Sequence, residues 1–84
     1  MGFEAIVLIN VTGDHTKSAY KTITRMEGVK AAYLVTGVYD LIVHVVAKDL
    51  NHLGEVILGN IRAIDGVTQT MTCLVLSAPV PHHP

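Results

Sequence analysis

The stretch TGVYDL, residues 36–41, brings a glycine, a phenol and a carboxylate together near the middle of the chain. Glycine lets a ligand approach the backbone, the Asp40 carboxylate can attract an ammonium group, and Tyr39 can supply an aromatic wall. The same residues also suit a plain hairpin, with Gly37 at the turn, Tyr39 packed at an interface and Asp40 bonded to its own backbone. The residue types alone leave both interpretations open.

The other reactive side chains are dispersed along the sequence. His15, His44 and His52 are far apart, and Asp49, three residues before His52, is expected to cap a helix rather than to bind a metal. The single cysteine, Cys73, has no CxxC partner, which excludes an internal disulfide and a cysteine-based zinc site. We expect Cys73 to be buried on a strand, and we predict no metal site and no cofactor.

Catalytic motifs are absent from the sequence. There is no G-x-S-x-G, no phosphate-binding glycine loop, and no nucleophile that spacing would pair with a base. His44 lies among valines, where a hydrogen-bonded interface histidine is expected. His82 and His83 follow two prolines, in a tail that we expect to be loosely ordered. We therefore predict no catalytic residue and a protein that is not an enzyme.

Size and charge restrict the function further. The 84 residues have room for one domain, predicted at 1–78, with a flexible tail at 79–84. Six basic against seven acidic residues give no electrostatic reason for direct nucleic-acid binding, and Lys17, Lys21 and Arg25 are expected to form a solvated helix stripe. No apolar run reaches the ~18 to 20 residues of a membrane span, and the amino terminus lacks a secretory signal. We expect a cytoplasmic protein without a membrane partner.

An internal repeat indicates how the chain is organised. The segments ITRMEGV and IRAIDGV, residues 23–29 and 61–67, lie 38 residues apart. Each is typical of a helix end, a glycine stop and the start of a strand. Asp14 and Asp49 are expected to cap the two helices at their starts. The apolar stripes of these helices are Ala19, Ile23 and Met26 in the first, and Leu50, Leu53, Ile57, Ile61 and Ile64 in the second.

Four segments have the composition of strands. They are residues 3–11, 30–36, 40–47 and 68–76, which are rich in valine, isoleucine, leucine and threonine. The resulting order of strand, helix, strand, strand, helix, strand predicts an α+β fold, the ferredoxin-like βαββαβ sandwich. Its four-stranded antiparallel sheet carries both helices on one face, and Gly37 lies in the connection between the second and third strands.

The first and third strands are apolar on both sides, although the helices can cover only one. Ile6 and Leu8 point away from the side that holds Val7 and Ile9, and a strand that is apolar on both sides is typically buried on both sides. Covering roughly 600 Å² of apolar surface at ~25 cal/mol per Å² would contribute on the order of 15 kcal/mol, comparable with the upper range of association costs. The pattern predicts a homodimer joined through the open sheet faces.

Three motifs, in order and spacing, carry a family resemblance. They are Gly28-Val29 at a strand start, Thr36-Gly37-x-Tyr39-Asp40 at the turn, and Gly66-Val67-x-x-Thr70-x-Thr72 in the last strand. Together with Asp49 before the second helix, they make the chain from about Ala5 to Leu76 resemble the ligand-binding domain of the Lrp/AsnC (feast/famine) transcription regulators. This domain is also called the regulation-of-amino-acid-metabolism, or RAM, domain.

The resemblance implies a site and partners. It implies dimers paired through their sheets, a higher ring such as an octamer or a decamer of dimers, and a small amino-acid effector bound between dimers. Full-length family regulators are further implied partners. Full-length members carry a helix-turn-helix before this domain, whereas this sequence starts directly at the first predicted strand. The chain is therefore expected to be a stand-alone sensor without its own DNA-binding domain. The implied ligand-binding residues are Gly37, Val38, Tyr39, Asp40, Thr70 and Thr72.

The favoured hypothesis is therefore a non-enzymatic amino-acid sensing and oligomerisation module. One alternative is a small enzyme of the dimeric α+β barrel type, with His44 or another titratable group facing a pocket inside one protomer. Another is an ACT-like regulatory domain, which shares the order of elements. The last is a purely structural oligomerisation module.

Overall fold

The computed structural model of the chain describes residues 2–76. The tail predicted at 79–84, with His82 and His83, lies outside these residues. Within them, no helix is long and apolar enough to cross a membrane. The elements are β1 (Phe3–Val11), a 3₁₀ turn (Gly13–His15), α1 (Thr16–Thr24), β2 (Val29–Leu34), β3 (Leu41–Ala47), a π-helical segment (His52–Leu58), α2 (Gly59–Arg62) and β4 (Val67–Leu74).

The four strands form one antiparallel sheet in the order β2-β3-β1-β4. The first and last strands of the chain are therefore neighbours, and the two central strands are β1 and β3. This is the strand order of the ferredoxin-like sandwich, so the predicted fold class is confirmed.

The core lies between the helices and one face of the sheet. Every second residue of β1 and β3 is buried there, and the strands are in register through pairs such as Val7 with Val43 and Ile9 with Leu41. Their β-branched side chains suit the pleated surface. The helices add Ala19, Ile23, Leu53, Ile57, Leu58 and Ile61.

Glycines end both helical parts as the sequence repeat predicted. Gly28 and Gly66 have φ angles of 88° and 91°, in the left-handed region that glycine adopts without strain. Space is also restricted at Gly66, where an added Cβ would overlap the Cβ of His15. The second glycine stop thus touches the start of the first helix, and the two halves of the repeat meet there.

The predicted cap at Asp49 is confirmed, whereas the predicted cap at Asp14 is wrong. The Asp49 carboxylate accepts a hydrogen bond from the His52 amide at 2.7 Å. Before α1 the chain makes a 3₁₀ turn that begins at Gly13, so Asp14 lies inside the turn rather than ahead of it. Its carboxylate is 3.1 Å from His15 Nδ1 instead, and α1 has no side-chain cap.

The second helical part differs from the regular amphipathic helix that the sequence predicted. Residues 52–58 are π-helical, and the buried pair Leu53 and Leu58 has the five-residue spacing of π-helical hydrogen bonding. Leu50, predicted in the apolar stripe, is 55% exposed because it precedes the segment that packs on the sheet.

The side of the sheet away from the helices is called the open face here. It carries Ile6, Leu8, Tyr33, Ile42, Val46 and Met71 together with the polar Glu4, Asn10 and His44. The predicted double-sided apolar pattern of β1 and β3 is therefore present. Cys73 was expected to be buried, but it lies opposite Ile6 on this face and is exposed.

Candidate functional site

The turn between β2 and β3 is attached to the neighbouring strands by backbone hydrogen bonds. The Val35 amide donates to the Asp40 carbonyl at 3.0 Å, and the Asp40 amide donates to the Ile9 carbonyl at 3.0 Å. Gly37 has a φ of 117°, and a Cβ there would meet no atom within 4 Å. Glycine is thus required at this position by the backbone conformation, while the space above it is open.

Two side chains fasten the same turn to the end of β1. Asp40 Oδ2 accepts a hydrogen bond from the Val11 amide at 2.8 Å, where the pairing with β4 changes register. Asn10 Nδ2 donates to the Val38 carbonyl at 2.7 Å. The Asp40 carboxylate therefore bonds the backbone of a neighbouring strand rather than that of its own turn.

Tyr39 and Val38 take different positions in the turn. The Tyr39 hydroxyl donates to the Met71 sulfur at 3.6 Å, which brings the turn to β4. Val38 contributes a carbonyl to Asn10, but its residue is 82% exposed. The turn consequently combines a fixed backbone with an uncovered apolar side chain.

Thr70 and Thr72 lie apart from this turn. In the β1–β4 register they are opposite Ile9 and Val7, so they belong to the side of the sheet that faces the helices. Met71, between them, is on the open face with Tyr39. The structure brings Gly37, Val38, Tyr39 and Asp40 together, but it places the two threonines on the other side of β4.

A groove of about 300 Å³ contains Thr70. Its other lining residues are Arg62 from α2 and Val67, Thr68 and Gln69 from β4. The Thr68 hydroxyl already donates to the Asn10 carbonyl at 3.3 Å, whereas the Arg62 guanidinium beside the Thr70 hydroxyl is suited to a carboxylate. The sequence alone gives no signal for Arg62, because the residues that line the groove with it belong to β4, beyond the turn that ends α2.

Asn10 and Met71 were also missed as parts of the site. Asn10 is the polar residue that ends the apolar alternation of β1, and this interruption could have marked it. Met71 gives no such signal, since its contact with Tyr39 joins residues 32 apart in the sequence.

His44 forms a pair on the open face, separate from the turn. Its Nε2 lies 2.6 Å from Glu4 Oε1. The sequence predicted a hydrogen-bonded histidine here, and the structure supplies its partner. Among residues 2–76, no three histidine, cysteine, aspartate or glutamate side chains are placed to hold one metal ion.

Residues 4–84 match the Lrp/AsnC ligand binding domain. The chain belongs to this family. The predicted family assignment is therefore confirmed, and with it a place among regulatory ligand-binding domains.

Solved structures share the fold. TTHA0845 from Thermus thermophilus is 33% identical and has a TM-score of 0.86, with 94% of this chain and 99% of that chain covered. The transcriptional regulator NMB0573 of Neisseria meningitidis, solved as a complex with L-Met, is 16% identical and has a TM-score of 0.81. Here 95% of this chain and 53% of that chain are covered, and the likeness concerns the fold alone.

Curated relatives place a similar segment in a longer protein. The homocitrate synthase of Sulfurisphaera tokodaii is 38% identical over 74 residues. These residues are 87% of this chain but 16% of the synthase, so the chain spans about a sixth of that relative's length.

Proposed function

We propose that this Lrp/AsnC domain binds a small amino acid at the Gly37–Asp40 turn and couples binding to its association with further copies of itself. The feature that carries the proposal is the turn, whose backbone is fixed by hydrogen bonds while its outer surface is open. A fixed backbone reduces the entropy lost on binding. The turn supplies the backbone groups of Gly37, the apolar surface of Val38, the phenol of Tyr39 and the negative charge of Asp40.

The charges suit a zwitterion that two protomers share. Asp40 on the turn could attract the ammonium group, and Arg62 beside Thr70 could attract the carboxylate. The Asp40 carboxylate is bonded to the Val11 amide of β1, and Arg62 lines the groove with Thr70 of β4. In the proposed assembly, one copy would provide the turn and another the threonine groove. Thr70 and Thr72 remain proposed ligand-binding residues on this basis. The L-Met complex of the Neisseria regulator supports an amino acid as the ligand class.

Assembly is proposed to begin with a homodimer through the open face. Ile6, Leu8, Ile42 and Val46 are partly exposed in the single chain, and Met71 is 47% exposed. Apolar surface of this extent is typical of an interface. A second copy presents the same apolar surface, and an isologous contact pairs one patch with itself. Dimers would then associate into a ring. Because the ligand would bind between dimers, it would increase the fraction of chains in the assembled state by mass action.

The proposal also covers the partners and the place of action. The chain would act as a regulatory sensor domain of the Lrp/AsnC type. Full-length family regulators in the cytoplasm would be its partners.

A thermal-shift screen against the twenty amino acids at millimolar concentration tests ligand binding. A ligand at ~100 times its Kd adds ~2.7 kcal/mol to the free energy of unfolding, which raises the Tm of a small domain by several degrees. Light scattering with and without each hit then measures assembly. If no amino acid changes either the Tm or the mass distribution, the sensing proposal is wrong.

Variants of Asp40 separate its structural role from its proposed role in binding. Asp40→Asn keeps an oxygen that can accept from the Val11 amide, so we expect the fold to persist and the affinity for the amino acid to fall at least ~10-fold through loss of the charge. Asp40→Ala leaves the amide unpaired and should lower the free energy of unfolding by about 1–3 kcal/mol. Glu55→Gln, an exposed charge change on the π-helical segment, is the control and should change neither quantity. Unchanged affinity in Asp40→Asn would remove Asp40 from the site.

The homocitrate synthase relatives favour a second candidate function. A segment similar to this chain is part of the synthase polypeptide, so this chain could regulate a biosynthetic enzyme rather than a transcription regulator. The test is the activity of a purified homocitrate synthase without such a segment, assayed with this chain and each amino acid that shifts its Tm. Inhibition or activation that requires both additions would support this candidate, and no effect of either would contradict it.

A further inference from the structure

We propose that the Glu4–His44 pair makes the sheet-to-sheet dimer dependent on protonation, so that association is tightest when His44 carries a proton. This inference depends on the proposed dimer through the open face. Glu4 and His44 are diagonal neighbours across β1 and β3, because Glu4 is opposite Val46 and His44 is opposite Ile6. Their side chains are 50% and 30% exposed.

The pair lies among apolar side chains. Ile6 and Val46 are its direct cross-strand neighbours, and Ala31 of β2 is opposite His44 on the other side. Water reaches both polar groups in the single chain, whereas a second open face placed over them would remove it. Nε2 and Oε1 are 2.6 Å apart, so the two side chains are within hydrogen-bond distance.

The charge state of the pair decides the cost of covering it. With His44 protonated, carboxylate and imidazolium together carry no net charge. With His44 neutral, the Glu4 carboxylate keeps an uncompensated negative charge, and burying such a charge is costly. The dimer therefore takes up protons relative to the monomers, and raising the pH through the titration range of histidine weakens it.

Three other titratable groups lie near the pair. Tyr33 of β2 is on the same face, Cys73 of β4 is opposite Ile6, and Lys30 occupies the register shift of β2. In the part of the chain that the structure describes, Glu4 makes no ion pair other than that with His44.

The dimer dissociation constant, measured by analytical ultracentrifugation between about pH 6 and about pH 8, tests the inference. We expect the constant of the native chain to rise at least ~10-fold over this range. In Glu4→Gln the protonated imidazole has no carboxylate partner, so the dependence should reverse and the dimer should be weaker at the lower pH. The double variant Glu4→Gln/His44→Gln has no titrating pair and should show a flat profile.

The control variants are His15→Gln and His52→Gln, which remove histidines outside the open face and should keep the native profile. Circular dichroism melts at both ends of this pH range establish that each variant is folded. If Glu4→Gln does not fold, the single variant His44→Gln replaces it.

A native dimer whose dissociation constant does not depend on pH would overturn the inference while leaving the dimer in place. A profile in Glu4→Gln that keeps the native direction would also overturn it. A folded monomer at every pH would contradict the dimer itself.

Discussion

Gly66 shows how a single residue joins the two halves of the fold. Its positive φ ends the second helical part, its carbonyl accepts a hydrogen bond from the Thr12 amide at 2.9 Å, and its missing side chain leaves room for His15. Gly54 is the opposite case, because a Cβ there would meet nothing within 4 Å and its φ is not in the left-handed region. The two glycines therefore differ in structural importance.

Gly66→Ala should destabilise the protein, while Gly54→Ala should not. The first change forces a strained φ and a contact with His15, which we expect to lower the free energy of unfolding by about 2–4 kcal/mol. The second replaces glycine by the best helix former and should raise it by up to about 1 kcal/mol. Urea unfolding of both variants measures the two effects, and a Gly66→Ala variant as stable as the native chain would contradict this account.

The two helical parts begin in different ways. The second is capped by the Asp49 carboxylate. The first follows the 3₁₀ turn, where Asp14 Oδ1 and the Oγ1 of the preceding Thr12 both lie near His15 Nδ1. An aspartate close to a helix start is thus insufficient for capping. The side chain must also reach a free amide of the first turn.

Asp49→Ala and Asp14→Ala form a matched pair for this difference. Removing the Asp49 cap leaves the His52 amide without its acceptor, and we expect the free energy of unfolding to fall by about 1 kcal/mol. Asp14→Ala removes only an exposed contact, so the change should stay within about 0.5 kcal/mol. Thermal and urea melts compare the two variants. Equal losses would show that Asp14 has a role absent from the described contacts.

The elements that follow from local sequence could be predicted, and those that depend on distant contacts could not. The strand β1 and both glycine stops follow from side-chain alternation and from backbone freedom, which are local properties. The bond from the Val11 amide to Asp40 joins residues 29 apart, so no local pattern reveals it. The π-helical geometry likewise depends on how Leu53 and Leu58 pack together on the sheet.

The candidate site was predictable to a similar extent. The glycine turn at 36–40 stands out in the sequence because it interrupts two apolar runs. Its relation to Thr70 and Thr72 required the register of β4, since a shift by one residue moves every side chain to the other face. Arg62 could not be associated with the threonines before that register was known.

At the scale of the whole molecule, the unequal sides of the sheet are the dominant feature. One side is sealed by the helices, with Val7, Ile9, Val43 and Val45 fully buried, while the other leaves Ile6 and Leu8 only partly covered. Stability therefore depends on one side of these strands, and the proposed association uses the other side. A substitution on the open face should change the mass of the particle without unfolding the protomer.

Leu8→Glu is expected to give a folded monomer. The new carboxylate would be buried without a partner in the proposed dimer but would be hydrated in the single chain. Multi-angle light scattering should show a protomer mass, and circular dichroism should show native helix and strand content. Leu50→Glu changes an exposed leucine at the start of the second helical part and is the control, with the mass of the native chain expected. A Leu8→Glu variant that remains a dimer would assign the interface to another surface.

The position of Cys73 gives the chain an intrinsic chemical probe. It is the single thiol of the sequence, and it is exposed on the open face opposite Ile6. A thiol-specific alkylating or chromogenic reagent would therefore modify one known place, at a rate governed by access to that face. If copies pair through this face as proposed, the kinetics of labelling would report the fraction of uncovered sheets at each protein concentration, with no tag and no engineered dye.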